Sequence, residues 1–153
     1  MRFATAILLI IALGAFTISC SSPDTEDAGQ DTQDIGNYFQ RAGLEYQSRN
    51  YKEAIELYTK AIELDPGYAL AYNNRASAEV QLRRYENAVS DYDKAIELRP
   101  DFSRAYYGRG LTYVLMYENE LGCVDLVKSK ELGHPDADFT INKYCEEPGP
   151  GSE

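Results

Sequence analysis

Residues Lys52–Tyr72 read KEAIELYTKAIELDPGYALAY, and residues Glu86–Tyr106 read ENAVSDYDKAIELRPDFSRAY. Slid by 34 positions, the two strings nearly superimpose. The same offset relates Tyr38, Tyr72 and Tyr106, then Arg41, Arg75 and Arg109, then Ala42, Ala76 and Gly110. Tyr51 recurs as Tyr85, Ala54 as Ala88, Tyr58 as Tyr92, Ala61 as Ala95, and Pro66 as Pro100. A fixed period of this length marks stacked supersecondary units, none of which can bury its apolar face alone.

Each unit divides into two helices. Ala54, Ile55, Tyr58, Ala61, Ile62 and Leu64 fall at helical spacing, while Lys52, Glu53, Glu56, Lys60 and Glu63 cover the opposite face. Asp65-Pro66-Gly67 ends that helix, because proline removes a backbone donor and glycine accepts the turn. The pattern predicts first helices over 35–48, 69–82 and 103–116, and second helices over 51–64, 85–98 and 119–132. Small residues stand where the helices of a hairpin should cross closely: Ala42 with Ala54, Ala76 with Ala88, and Gly110 with Gly122. Pro135-Asp136 then opens a short helix over 136–146, whose apolar face is Ala137, Ile141, Tyr144 and Cys145. The expected fold is all-α: a solenoid (α–α superhelix) of three helix-turn-helix units, 35–68, 69–102 and 103–135, closed by a capping helix.

These residues resemble the tetratricopeptide repeat family over 35–134. Units one and two match well. Unit three is degenerate, with Asn119, Gly122, Leu126, Ser129 and His134 at positions held elsewhere by Tyr, Ala, Tyr, Ala and Pro. Departure of a terminal unit is expected of a cap. The string GCVDLVKSKELGHPDA resembles the last repeat of exported bacterial members. The resemblance implies a concave surface lined by first helices that receives a protein or peptide partner. By position the lining is Phe39, Gln40, Gly43 and Tyr46, then Leu70, Asn73, Asn74, Ser77 and Gln81, then Arg104, Tyr107, Leu111 and Val114. Amides suit an extended backbone, aromatics supply contact area, and Arg104 suits an acidic group. Members that grip acidic chaperone tails use Lys, Asn and Arg at fixed places. Here those places hold Phe39, Gly43, Asn74, Arg104 and Gly108, so chaperone-tail binding is rejected.

Other classes have little to build on. The formal net charge of −10 repels phosphate backbones, so nucleic acid is excluded as an expected partner. Arg41, Arg75 and Arg109 read as structural rather than as a basic ladder, because Asp91 and Asp125 recur on the second helices and can pair with them. No metal-ligand spacing, phosphate loop or nucleophile–base pair is recognisable, and no cofactor is expected. The one histidine, His134, precedes Pro135 in a turn and is expected to face solvent.

The ends of the chain carry a different message. Met1-Arg2 precedes an uncharged apolar run, Phe3–Ile18, too short to span a bilayer as a helix. It reads as a leader over 1–19. Thr17-Ile18-Ser19-Cys20 resembles the lipobox of bacterial lipoproteins, which implies acylation at Cys20; plain cleavage to a soluble exported protein is the alternative. Residues 20–34 carry five acids and no base, and are expected to form a disordered tether. Residues 147–153 are expected to form a disordered tail. Cys123 and Cys145 remain as a pair, with a bridge and two separate buried thiols both open. The expected protein is an exported, membrane-anchored adaptor without enzymatic activity. A structural subunit using its convex face is one rival, and a small-ligand receptor or enzyme is another.

Overall fold

The computed structural model describes residues 24–145, with side chains from residue 32 onward. These residues form seven α-helices and no strand: α1 (Asp24–Gln47), α2 (Tyr51–Leu64), α3 (Ala69–Gln81), α4 (Tyr85–Leu98), α5 (Ser103–Leu115), α6 (Asn119–Glu131) and α7 (Ala137–Tyr144). Helices α1 to α6 pair into three hairpins, and each hairpin packs on the next.

The turns inside the hairpins share one geometry. Arg49, Arg83 and Tyr117, again 34 residues apart, have φ of 64°, 58° and 64°. The next N–H reaches back five residues, from Asn50 to the Glu45 carbonyl (2.8 Å), Arg84 to Glu79 (3.0 Å) and Glu118 to Tyr113 (2.9 Å). A left-handed residue followed by such a bond satisfies carbonyls that a helix end leaves free. Gly133, φ 81°, repeats the turn after α6.

Burial follows the small residues. Ala42, Ala54, Leu57 and Tyr58 form the core of the first hairpin. Ala61, Ile62 and Ala71 join it to the second. Ala76, Ala88, Tyr92, Ala95, Phe102 and Ala105 continue the core toward α5. In the third hairpin the glycines allow a tighter crossing. A Cβ on Gly110 would lie 2.9 Å from the Gly122 carbonyl oxygen, and one on Gly122 would lie 2.8 Å from that of Gly110.

The recurring arginines join the stack through ions. Arg75 donates from Nε and Nη2 to both Asp91 carboxylate oxygens (2.8 and 2.7 Å), and Arg109 does the same to Asp125 (2.7 and 2.8 Å). Each also reaches the preceding unit, Arg75 to Thr59 and Arg109 to Asp93. Paired carboxylates on the second helices therefore tie α3 to α4 and α5 to α6, while Nη1 ties each unit to its neighbour. Arg41 differs: it is exposed, and the equivalent of Asp91 in its unit is Leu57.

Two expectations about the boundaries need correction. Residues 24–34, expected to be irregular, belong to α1. Pro23 is the last helix-breaking proline before it, and acidic residues at a helix start complement the dipole, so the acidic stretch has a reason to join the helix. The leader, Cys20 and the tail lie outside the described residues. The capping helix is also shorter than 136–146, and its buried face is Ala137 and Thr140 with Ile141 half-buried, while Tyr144 is exposed. Helix α7 rests on α6 and is joined to it by a Cys123–Cys145 disulfide with Cα atoms 5.6 Å apart, across a sequence separation of 22. Closing a loop of that length removes about 3 kcal/mol of unfolded-chain entropy.

Candidate binding groove

The first helices touch one another across hairpins: α3 meets α1 on one side and α5 on the other. That places them on the inner side of the curve, and two adjoining cavities open there. One, of about 340 Å³, is walled by Gly43, Tyr46, Asn74 and Arg104 with the Tyr58 ring beneath. The other, of about 470 Å³, runs from Tyr46 past Tyr107 and Leu111 to His134 and Asp136. Tyr46, Asn73, Ser77 and Arg104 border both, so the two form one groove.

The groove floor is a set of phenols and amides held from behind. Ser77 donates to the Asn73 carbonyl at 3.1 Å, which uses its only proton; the Tyr92 hydroxyl, 3.1 Å away, therefore donates to Ser77 Oγ. Asn73, nearly buried, donates from Nδ2 to Asn74 Oδ1 at 3.0 Å. Burial disfavours the phenolate at Tyr46, Tyr58 and Tyr92: the pKa of all three phenols lies above the ordinary value, Tyr92 at about 12. These hydroxyls are therefore neutral donors at any physiological pH. Arg104 is exposed and has no carboxylate partner among the described residues, whereas Arg75 and Arg109 are both paired. Val80, Leu111 and Leu115 add apolar lining.

Of the residues expected to line the groove, Gly43, Tyr46, Asn73, Asn74, Ser77, Gln81, Arg104, Tyr107 and Leu111 do so. Four do not. Phe39 packs its ring against Tyr58 (5.6 Å) and Tyr68 (4.9 Å). Leu70 packs against the second-unit core, and Gln40 points to solvent. Val114 lies against Gly122 at the hairpin crossing. Phe39, Leu70 and Val114 share the helical face of the groove-lining positions but are taken up by packing partners, whereas Gln40 is turned toward solvent.

The lining also contains residues that the sequence reading did not place there. Tyr58 and Tyr92 belong to second helices but thread their rings between first helices; their 34-residue recurrence was the available signal. Gly108, already named among the places of the chaperone-tail grip, lies under the Tyr92 ring, where a Cβ would stand 2.5 Å from Cζ. His134, expected in solvent, is half-buried with its ring stacked on Tyr107, centroids 4.0 Å apart and planes 8° apart. Burial holds His134 below its ordinary value; nearby Asp136 opposes this and Arg104 adds to it. Its Nδ1 accepts the Asp136 N–H at 3.3 Å.

The Tyr92 shift has a measurable consequence. A phenol raised from 10 to about 12 contributes stability that is complete below pH 10 and is lost as pH climbs through the folded value. Unfolding free energy is expected to fall by roughly 2–3 kcal/mol between pH 10 and 12 from this group. Denaturation curves of Tyr92→Phe across that range should lack this component of the loss.

No group of three or more His, Cys, Asp or Glu side chains is placed to hold a metal ion among the described residues. A tetratricopeptide repeat family model matches the chain over residues 39–101 and 73–115. No curated protein sequence matches it. Among solved structures, the first repeat domain of Spaghetti (RPAP3) bound to the HSP90 peptide SRMEEVD is 27% identical, with a TM-score of 0.70 over 73% of this chain and 90% of that one. The second repeat domain of human RPAP3 in complex with the HSP70 peptide SGPTIEEVD is 26% identical, with a TM-score of 0.71 over 76% and 99%. The Arabidopsis OM64 domain, 22% identical, shares the fold with a TM-score of 0.72 over 74% and 96%.

Proposed function

The chain belongs to the tetratricopeptide repeat family, and from that premise we propose that it is a protein-interaction scaffold whose inner groove holds an extended segment of a partner protein. The observation that carries this reading is the groove itself: neutral amide and phenol donors on its floor, apolar side chains from Val80, Leu111 and Leu115, and an Arg104 that has no carboxylate partner among the described residues. Asn73 and Asn74 suit backbone N–H and C=O groups, Leu111 and Leu115 suit an aliphatic side chain, and Arg104 suits a partner carboxylate.

The two RPAP3 domains are bound to chaperone peptides ending in EEVD. This chain lacks the means to hold such a tail in the same way. Of the five positions named for that grip, Phe39 is in the core, Gly43 and Gly108 have no side chain, and only Asn74 and Arg104 remain. A single cation favours a partner with one acidic group rather than an acidic terminus.

We place the scaffold at a cell envelope. The apolar run Phe3–Ile18 followed by Cys20 supports export and acylation, and a disulfide between Cys123 and Cys145 suits an oxidising compartment. Intact mass of the mature protein tests this: acyl mass on an N-terminal Cys20 is the expected result, and a retained leader refutes it.

A second reading uses the outer face. Leu121, Val124 and Val127 are exposed on α6, where units one and two carry Glu53, Glu56, Thr59 and Asn87, Ser90, Asp93. The two readings separate by photo-cross-linking in intact cells, with a benzophenone amino acid at Leu111 or at Val124. The groove reading expects capture of one partner from Leu111, lost when Asn74 and Arg104 are both replaced by Ala. Capture from Val124 alone, unaffected by those substitutions, refutes it.

A further inference from the structure

One wall of the groove comes from the end of unit three and the helix that follows it. His134 and Asp136 come from the turn that leads into α7, and α7 itself reaches the groove through Thr140. The Thr140 hydroxyl donates to the Asp136 carbonyl at 2.9 Å, so at 2.9 Å from Tyr107 it accepts the phenol proton. Tyr107, a groove residue on α5, is thus held twice: by this bond and by the His134 ring stacked on it.

What holds α7 in place is meagre. It has eight residues, well below the length at which a helix is stable alone. Only Ala137 and Thr140 are buried, and Phe139, on the same helix, is 73% exposed. The Lys130–Asp138 pair is between exposed side chains, a class that contributes little. The covalent tie is the Cys123–Cys145 bridge, and both cysteines line an open cavity of about 810 Å³ on the other side of α6. The bridge is therefore open to a reductant on the outer face while the wall it secures stands on the inner face.

We propose that the Cys123–Cys145 bridge is a redox-sensitive latch on the partner groove: a dithiol reductant opens it, α7 leaves α6, and the His134–Tyr107 wall comes apart. In that step the dithiol supplies two electrons and two protons, the S–S bond breaks, Cys123 and Cys145 become thiols, and the reductant becomes a disulfide. The regulatory meaning rests on the groove being the partner site; the opening of the wall does not. With the latch open, Tyr107 loses both restraints and the groove loses the wall made by His134 and Asp136, so a bound segment is held less tightly there.

The test is made on the partner-free protein, so its outcome is independent of whether the groove binds a peptide. Amide exchange and the His134 ring resonances are followed by NMR before and after complete reduction with dithiothreitol, and again after reoxidation. The expected result is exchange over 137–144 faster by about a hundredfold, with amides of α2–α4 unchanged, and reversal on reoxidation. The His134 signals should lose the ring-current shift of Tyr107, and its titration should move up toward the ordinary value as burial is relieved. A Cys123→Ser, Cys145→Ser variant should match the reduced protein under oxidising conditions. Unchanged exchange and an unchanged His134 after reduction overturn the latch. Uniform acceleration through all seven helices overturns it too, since the bridge would then secure the whole fold and not one wall.

Discussion

Arg109→Ala is expected to lower the unfolding free energy by about 3–5 kcal/mol, while Arg41→Ala at the same place in the repeat stays within about 0.5 kcal/mol. The difference lies in what each side chain leaves behind. Arg109 occupies both oxygens of Asp125, whose side chain is 7% exposed, and spans to Asp93 of the preceding hairpin. Its removal strands a buried carboxylate and cuts a tie between two hairpins. The bidentate bond to Asp125 also raises the Arg109 pKa above its already high ordinary value, outweighing burial, so the guanidinium stays charged at every accessible pH. Arg41 stands opposite Leu57 and faces solvent, so nothing buried depends on it. Urea denaturation of the two variants side by side makes the comparison. Equal effects would mean that the ion pair contributes nothing beyond the arginine stem.

Gly110→Val is expected to cost about 3 kcal/mol or more, against less than 1 kcal/mol for a substitution such as Ser90→Ala on the outer surface. A first carbon on Gly110 already lies 2.9 Å from the Gly122 carbonyl oxygen and 3.0 Å from Leu126 Cγ, and valine adds two more in a rigid rotamer. The nearest obstacle is backbone, so no side-chain rotation relieves it; α5 and α6 have to move apart. Helix propensity favours valine over glycine by only a few tenths of a kcal/mol, too little to offset the separation. The shift should propagate, because α6 carries α7 and α5 carries Tyr107 and Arg109. Thermal unfolding of Gly110→Val beside Gly36→Val, whose Cβ meets nothing within 4 Å, isolates packing from propensity. A variant at 110 as stable as the one at 36 would show that the crossing is not tight.

The 34-residue period was enough to place α2 to α6, and the end of α1, within a residue or two, because helical faces, Pro-bearing turns and small crossing residues are all local marks repeated in register. It was enough also for the Arg75–Asp91 and Arg109–Asp125 partners, which lie 16 residues apart in both units. Where the pattern had no sibling for comparison, the reading went astray. The acidic start of α1 has no counterpart in the other units, and composition alone could not separate a solvated helix from an irregular tether. Unit three breaks the repeat at His134, so nothing marked that side chain as part of a wall. The left-handed turns at Arg49, Arg83 and Tyr117 were invisible for a different reason: the hairpin geometry imposes them on residues whose own preference lies elsewhere.

What the sequence by itself determined is the architecture: helical hairpins of one length, stacked because no hairpin buries its own face; the resemblance to the repeat family implied that the first helices turn inward. Which inward-facing side chains are free to meet a partner was decided only in three dimensions. Phe39 and Leu70 point toward the groove in register but are consumed by neighbouring hairpins, and Tyr58 and Tyr92 reach it from behind. The reason is that periodicity specifies direction around one helix axis, whereas exposure depends on the spacing between axes. That spacing comes from the sum of all side chains between them, and at the far end from one covalent bond joining residues 22 positions apart.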